Sequence, residues 1–480
     1  MLSKNNYLNR IYFFNPINKR HFKINSIVQK KRPFFAKKRK LETNNRFISF
    51  FFRFFLCLIP LSRSSVLYAN VQGYLAWTTC FADCPEVLVR ALPIVQKDLA
   101  SLNESDTCLA LQAVSCMSSQ VLARQLGEEV LKLLISHTSS VPVRKKAACV
   151  ALSFYRMEPS FVDLAEWLDR IAPLLEHPQL GVAHCACLLA MELVRHAPSS
   201  FSLFYKHAID ALSAILLQND VRRDYVYHRV PAPWLQVQLL ALLRLYPRQP
   251  VLDADYKTKL HDILTFIWKQ DVALAVKADV HEANARYSVQ LEAMRLVVHL
   301  DASSPLVSRF TASLGQLLTS PETNVRYLSM EIMAHLAQRI PSLSSINLHR
   351  DVIFVALGDT DISVRRRALD LLYAMCDRTN VRQIVRRLLD YLVVAEPSLR
   401  QDLTLKISIL AELHTSESSW YIDTTLELLH VAGRHVSNTT WQRILQVVTN
   451  HPKVHVYAVE QIIMYLQQAL CHDSLVKLGA

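Results

Sequence analysis

The chain has 480 residues, with 54 Lys and Arg against 41 Asp and Glu, a formal net charge of +13 and 51% hydrophobic residues. Its seven glycines all lie more than forty positions apart, which excludes Gly-rich phosphate loops and the G-x-S-x-G nucleophile elbow, since both need close-spaced glycines. Scarce glycine beside abundant Leu and Ala points to an all-α protein, because sheets need tight turns, and this length favours several domains or a repeat array over one compact core.

The charge is unevenly placed. Residues 1–65 hold 15 of the bases and a single acid, Glu42, which leaves 39 bases against 40 acids in residues 66–480. Residues 1–67 are therefore set apart as a divergent or mis-joined basic extension, expected to be disordered, and residues 68–480 as the folded body. Within the extension, the apolar run Phe47–Leu61 contains Arg53 and Pro60 and falls short of the roughly 20 apolar residues that span a bilayer. The preceding basic stretch is long for a secretory signal, and Ser62-Arg63-Ser64-Ser65 is a weak cleavage site.

From about residue 85 the chain becomes a succession of amphipathic helical segments separated by short Pro, Asn, Asp or Ser punctuation. Ser320 with Pro321 at the first helical position marks one helix start, and Asp361 is placed to cap the next. In that next helix Val364, Ala368, Leu371, Leu372 and Met375 fall on one face. Val385, Leu388, Leu389 and Leu392 repeat the pattern. No stretch alternates with period two for long enough to predict a sheet.

The helices also repeat in pairs. A Val/Leu-Arg dipeptide opens the second helix of several pairs, at Val143-Arg144, Val325-Arg326, Val364-Arg365 and Leu399-Arg400, with Val182, Val237, Val436 and Val454 as degenerate versions. The intervals 143 to 182, 325 to 364, 364 to 399 and 399 to 436 are 39, 39, 35 and 37 residues. That is the unit length of HEAT and armadillo arrays, in which a helix pair cannot bury its apolar face alone and stacks on its neighbours. The expected fold is an all-α, right-handed α-solenoid with an extended concave surface.

No nucleophile, base and acid come together in the sequence, and no cofactor is expected. The ten cysteines read as buried free thiols of a reducing compartment. Cys80-x-x-x-Cys84, His184-Cys185-Ala186-Cys187 and the pair His451 and His455 lack the four-ligand spacing of a zinc site. The strongest polar signals are basic: Arg144-Lys145-Lys146, Arg222-Arg223, and the cluster of Arg365, Arg366 and Arg367 followed by Arg382, Arg386 and Arg387. The last six are a candidate patch for a phosphoinositide headgroup or an acidic partner. The alternative is that one Arg per repeat pairs with an acid in the neighbouring repeat and the others are solvated. Nucleic acid is not expected as a partner, since the body has no net positive field.

Three stretches carry a family likeness. Val230-Pro231-Ala232-Pro233-Trp234-Leu235 closing with Tyr246-Pro247, the run Ser363–Asn380, and Ser419-Trp420-Tyr421-Ile422-Asp423-Thr424 resemble, in family order, the trunk of the alpha-adaptins, large chains of the plasma-membrane clathrin adaptor. The resemblance runs from about Gly73 to the end. It implies a non-enzymatic scaffold for endocytosis and intracellular protein transport, assembled with small, medium and beta-type large chains. It also implies peripheral contact with a phosphoinositide-containing membrane and with cargo sorting signals through the complex, on the cytoplasmic face of the plasma membrane in coated pits, and in the cytosol. Residues 1–67 do not match the family's lysine-rich lipid site, so no lipid-binding residue is transferred, and the likeness covers the trunk without hinge or appendage. A solenoid scaffold or transport receptor unrelated to coats is the alternative, and a protein anchored through Phe47–Leu61 is a third reading.

Overall fold

The computed structural model describes residues 71, 73–75, 78–79, 85–247, 253–269, 279–300, 305–339, 344–414, 417–436, 438–450, 452–467 and 473–479. The extension 1–67 with its run Phe47–Leu61, the pair Cys80 and Cys84, and His451 lie outside them. The chain divides into two compact units, Met1–Leu122 and Ala123–Ala480.

In the first unit, α1 (Pro85–Leu99) packs on α2 (Glu104–Cys116). Asn103 caps α2 by accepting from the Ser105 amide, and the buried Thr107 hydroxyl reaches back to the Asp98 carbonyl at 3.3 Å, tying the two helices at their turn. Tyr74 donates to the Asp98 carboxylate at 2.6 Å.

The second unit begins within α3 (Gln120–Ile135) and continues through α4 (Val141–Met157), α5 (Leu164–Ile171), α6 (Leu180–His196) and α7 (Leu203–Leu216). A small antiparallel hairpin, β1 (Val226–Tyr227) and β2 (Val230–Pro231), precedes α8 (Pro233–Leu243), α9 (Ala254–Lys269), α10 (Val280–Leu300), α11 (Pro305–Leu317) and α12 (Thr323–Arg339). Then follow α13 (Ser344–Asn347), α14 (Arg350–Ala356), α15 (Ile362–Ala374), α16 (Val381–Val394), α17 (Pro397–His414), α18 (Ser418–Ala432), α19 (Asn438–Asn450), α20 (His455–Leu466) and α21 (Asp473–Gly479).

These helices stack in two layers. The second helices of successive pairs, α4, α6, α8, α10, α12, α15 and α17, pack each on the next, while first helices such as α7 and α9, or α16, α18 and α20, form the other layer. The fold is an all-α solenoid, and its core is the apolar seam between and along the layers. The face read from the sequence is that seam: Val364, Ala368, Leu371 and Leu372 of α15 and Val385, Leu388, Leu389 and Leu392 of α16 are all buried. Asp361 caps α15 as expected, accepting from the Ser363 amide at 2.7 Å. Pro321 does not open α12, which starts two residues later; Ser320 Oγ instead accepts the Glu322 amide and the Glu322 carbonyl receives the first helical bonds.

The Val/Leu-Arg dipeptide has a physical explanation. Its apolar member is the third residue of the helix and is buried, as in Val143, Val325, Val364 and Leu399. In three of the four the arginine that follows turns back to a carbonyl at the end of the previous helix or in the linker after it, where carbonyls have no partner within a helix. Arg144 donates to the Leu134 carbonyl at 3.0 Å, Arg326 to those of Ser320 and Pro321 at 2.8 and 3.0 Å, and Arg400 to that of Ala395 at 2.8 Å. In α8 the position belongs to Leu235-Gln236 and not to Val237: Leu235 is buried, Gln236 donates to the Pro231 carbonyl, and Val237 is half-buried. The early start of α8 at Pro233 shifts the register by two. Val436 and Val454 precede their helices, and Val454 leads into α20, a helix of the other layer.

The hairpin was not predicted, because two residues per strand are too few for a period to register. Its tip residues His228 and Arg229 have φ of 43° and 67°, the type I′ geometry that matches strand twist.

Arg326 also pairs with Asp359 at 2.7 Å, both mostly buried. Burial pushes the Asp359 carboxyl up, but the Asp361 amide and Arg326 outweigh it and hold its pKa below the ordinary value. A carboxyl lowered in the folded state stabilises above the unfolded pKa and loses that contribution as pH falls. Arg326→Met is therefore expected to cost about 3 kcal/mol near neutrality, by stranding the carboxylate and two carbonyls. It should also flatten the acid limb of a urea-denaturation profile against pH; an unchanged limb would count against this pairing.

Candidate functional site

Along the stacked second helices the polar side chains form one alternating line of charge. Arg244, just past α8, donates to Glu292 of α10 at 3.0 Å, and Glu292 also accepts from Arg295 at 3.1 Å. Arg295 bridges to Glu331 of α12, which lies 3.5 Å from Arg367 of α15. Arg367 then meets Asp370 at 3.2 Å, Asp370 meets Lys406 of α17 at 2.5 Å, and Lys406 meets Asp402 at 3.0 Å. Glu292 and Glu331 are buried. Four cations and four anions cancel, so the line is electrically neutral and satisfied from within.

The six candidate arginines are divided between two helices of different layers. Arg365, Arg366 and Arg367 lie on α15, which packs on α12, whereas Arg382, Arg386 and Arg387 lie on α16, which packs on α17 and α18. Arg367 belongs to the charge line, donates to the Tyr327 hydroxyl oxygen at 2.8 Å and covers that ring at 5.0 Å. Burial opposes its charge, but Tyr327, Glu331 and Asp370 hold the guanidinium pKa above its ordinary value. Arg365 pairs with Glu396 at 2.6 Å, Arg382 with Glu417 at 2.7 Å, and Arg386 with Glu427 at 2.9 Å and Asp390 at 3.3 Å. Arg387 lies over the Phe354 ring at 5.8 Å. Among the described residues Arg366 and Arg387 have no ion pair, and both are exposed. Most of these cations thus join one helix pair to the next.

The charge line was missed in the sequence, although a signal was there. Glu292, Glu331 and Asp370 are spaced 39 apart, as are Arg367 and Lys406, which is the interval of the Val-Arg positions. One acid and one base recurring at the helical repeat is the mark of inter-repeat pairing.

Among the described residues no group of three or more His, Cys, Asp or Glu is arranged to hold a metal, and no helix is long and apolar enough to cross a membrane. Cys187 is buried and Cys149 is exposed; no disulfide joins the described cysteines.

Layered helix pairs knit by inter-repeat ion pairs define a helical-repeat protein of the HEAT type. The family model of the adaptin N-terminal region matches residues 72–480, and the chain belongs to the adaptin family. It is 36% identical over 408 residues to AP-2 complex subunit alpha-1 of Arabidopsis thaliana, covering 85% of this chain and 40% of that one. It is 35% identical over 418 residues to AP-2 complex subunit alpha-2 of Dictyostelium discoideum, covering 87% and 42%. Identity to AP-1 complex subunit gamma-2 of Arabidopsis thaliana is 28% over 411 residues, 85% of this chain and 46% of that one. The likeness to alpha chains read from the sequence is borne out, and the chain spans about 40% of their length. Among known structures, a homology model of the full-length AP-3 complex in an intermediate open conformation gives a TM-score of 0.50 at 17% identity, covering 94% of this chain and 77% of that one. Yeast importin-beta, Kap95p, gives 0.56 at 13% identity, covering 94% and 62%. At these identities both show the solenoid fold alone.

Removing Glu331 takes the shared acid from two mostly buried arginines, leaving Arg295 to Glu292 and Arg367 to Asp370 and breaking the line between α10 and α15. Glu331→Gln is expected to lower unfolding free energy by about 3 kcal/mol, with little dependence on salt. Glu417→Gln, which weakens the exposed pair with Arg382, should change it by less than about 1 kcal/mol. Urea titrations at low and high salt measure both, and equal costs would contradict a buried, cooperative line.

Proposed function

We propose that this chain is the trunk of an alpha-type large subunit and serves as a non-enzymatic scaffold in a clathrin adaptor complex. The carrying observation is the alpha-chain likeness over 408 residues, at 36% identity against 28% for the gamma chain. In this reading the solenoid holds a small chain, a medium chain and a beta-type large chain in a hetero-tetramer. The complex sits peripherally on the cytoplasmic face of the plasma membrane, at coated pits, and selects cargo for endocytosis. The internally neutral charge line supports a holding role, since it stiffens the stack without offering a strong field of its own. Arg366 and Arg387 are the members of the arginine set left without ion pairs, and we assign to them any contact with an acidic partner segment or headgroup.

Obligate subunits of this kind bury large areas, commonly about 2,000 Å² or more. Co-expression of the full chain with small, medium and beta-type chains from the same source is expected to give a single four-chain peak in size-exclusion chromatography. A chain with a folded helical spectrum that binds none of the three would overturn the proposal.

A further inference from the structure

Three sequence features that neither the helix stack nor the charge line absorbs meet at one place. Lys145 of the Arg144-Lys145-Lys146 cluster, His184 and Cys185 of the His184-Cys185-Ala186-Cys187 group, and Trp234 of the Pro233-Trp234-Leu235 run all line a cavity of about 590 Å³ between α4, α6, the hairpin and the start of α8. That volume falls within the range of about 300–1,000 Å³ usual for ligand sites.

The wall is apolar with one exposed anchor. Trp234 is 59% exposed, against Tyr227 at 4.8 Å between ring centroids in an edge-on arrangement. Its outward position comes from Ala232, which sits in the left-handed region at φ 40° and ψ 55°, a conformation that disfavours any residue with a Cβ. The turn is held by the Ala232 amide bonding the Tyr225 carbonyl at 2.9 Å. It sends Leu235 and Gln236 inward and Trp234 outward. Strain kept at a turn whose effect is to expose an indole is a pointer to binding.

The wall also has one cation without an ion pair among the described residues. Lys145 is half-buried, and none of its ion pairs is found among the described residues. Its stem lies over Gly181, where an added Cβ would come within 3.2 Å of the lysine Cδ and 3.7 Å of Nζ, so glycine leaves room for it. Burial lowers the His184 pKa and keeps that imidazole neutral, which makes Lys145 the one formal cation of the lining. Asp224 is exposed at the rim.

We propose that this cavity is a docking pocket for a short extended peptide that carries one carboxylate and one large apolar side chain on the same face. The carboxylate meets Lys145 and the apolar side chain lies against Trp234 and Leu235. A polyphosphate headgroup does not fit, because it needs several cations where the cavity offers one, with an acid at its rim. In an extended chain residues i and i+2 face the same way, so a Glu-x-Phe pattern supplies both groups. The site lies outside the adaptor reading and does not depend on it.

The probe is the peptide acetyl-Glu-Ser-Phe-Ser amide, titrated against the full chain by saturation-transfer NMR on its ring and by tryptophan fluorescence. Replacing its Glu by Gln, or its Phe by Ala, is expected to weaken binding about five-fold or more each. Trp234→Ala should weaken the parent peptide to a similar extent, and Lys145→Gln should make the Glu and Gln peptides bind alike. Both variants should keep the wild-type circular dichroism spectrum. Absence of binding to the wild-type chain, equal binding of the Glu and Gln peptides to it, or displacement of neither peptide effect by the variants overturns the proposal. So does binding of inositol hexakisphosphate at this site in preference to the peptide. Should a variant fail to fold, the three-peptide comparison on the wild-type chain decides by itself.

Discussion

The carboxylate of Glu331 is buried between three stacked helices, taking Arg295 from the one before and lying within reach of Arg367 from the one after. A charge withdrawn from water in this way is tolerable only while its partners stay in place. Apolar packing between α10, α12 and α15 would by itself permit small slides of one helix along another, since hydrophobic attraction has no direction. The ion pairs do not permit them. Glu292 and Asp370 repeat the arrangement on either side, so the register of one pair constrains the next.

The arginines that open the second helices act at right angles to this line. Arg144 and Arg400 each close the end of the helix before their own and Arg326 holds the linker that leads into its helix, while Arg367 and Arg386 join successive pairs within a layer. Residues 66–480 carry nearly equal numbers of acids and bases, and those of the charge line are turned to one another. This is consistent with the scaffold role proposed above, in which partners are met by shape and apolar area more than by a strong long-range field.

How much of this was legible depended on the range of each interaction. The faces of α15 and α16 and the Asp361 cap were readable because helix periodicity and capping involve residues within a few positions of one another. Pro321 and Val237 were each misplaced by two residues, since a proline fixes where a helix can begin only in combination with the turn before it. The hairpin at Val226–Pro231 left no periodic trace, although the Pro-Trp-Leu run beside it stood out as a family motif. The candidate arginines were visible as a cluster, but their helices lie in different layers and most of their charges are turned to acids 31 to 41 residues away.

By itself the sequence determined an all-α repeat protein of the adaptin type, with a basic segment of different composition ahead of a neutral body. Scarce glycine, amphipathic period and a recurring dipeptide are properties of the chain in one dimension. Tertiary structure alone decided which charges meet, which arginine serves as clamp or bridge, and that Lys145, His184 and Trp234 share a cavity. The physical reason is that these outcomes depend on how successive helix pairs are rotated and stacked. That stacking is set by packing of whole helix faces, so no local stretch of sequence contains it.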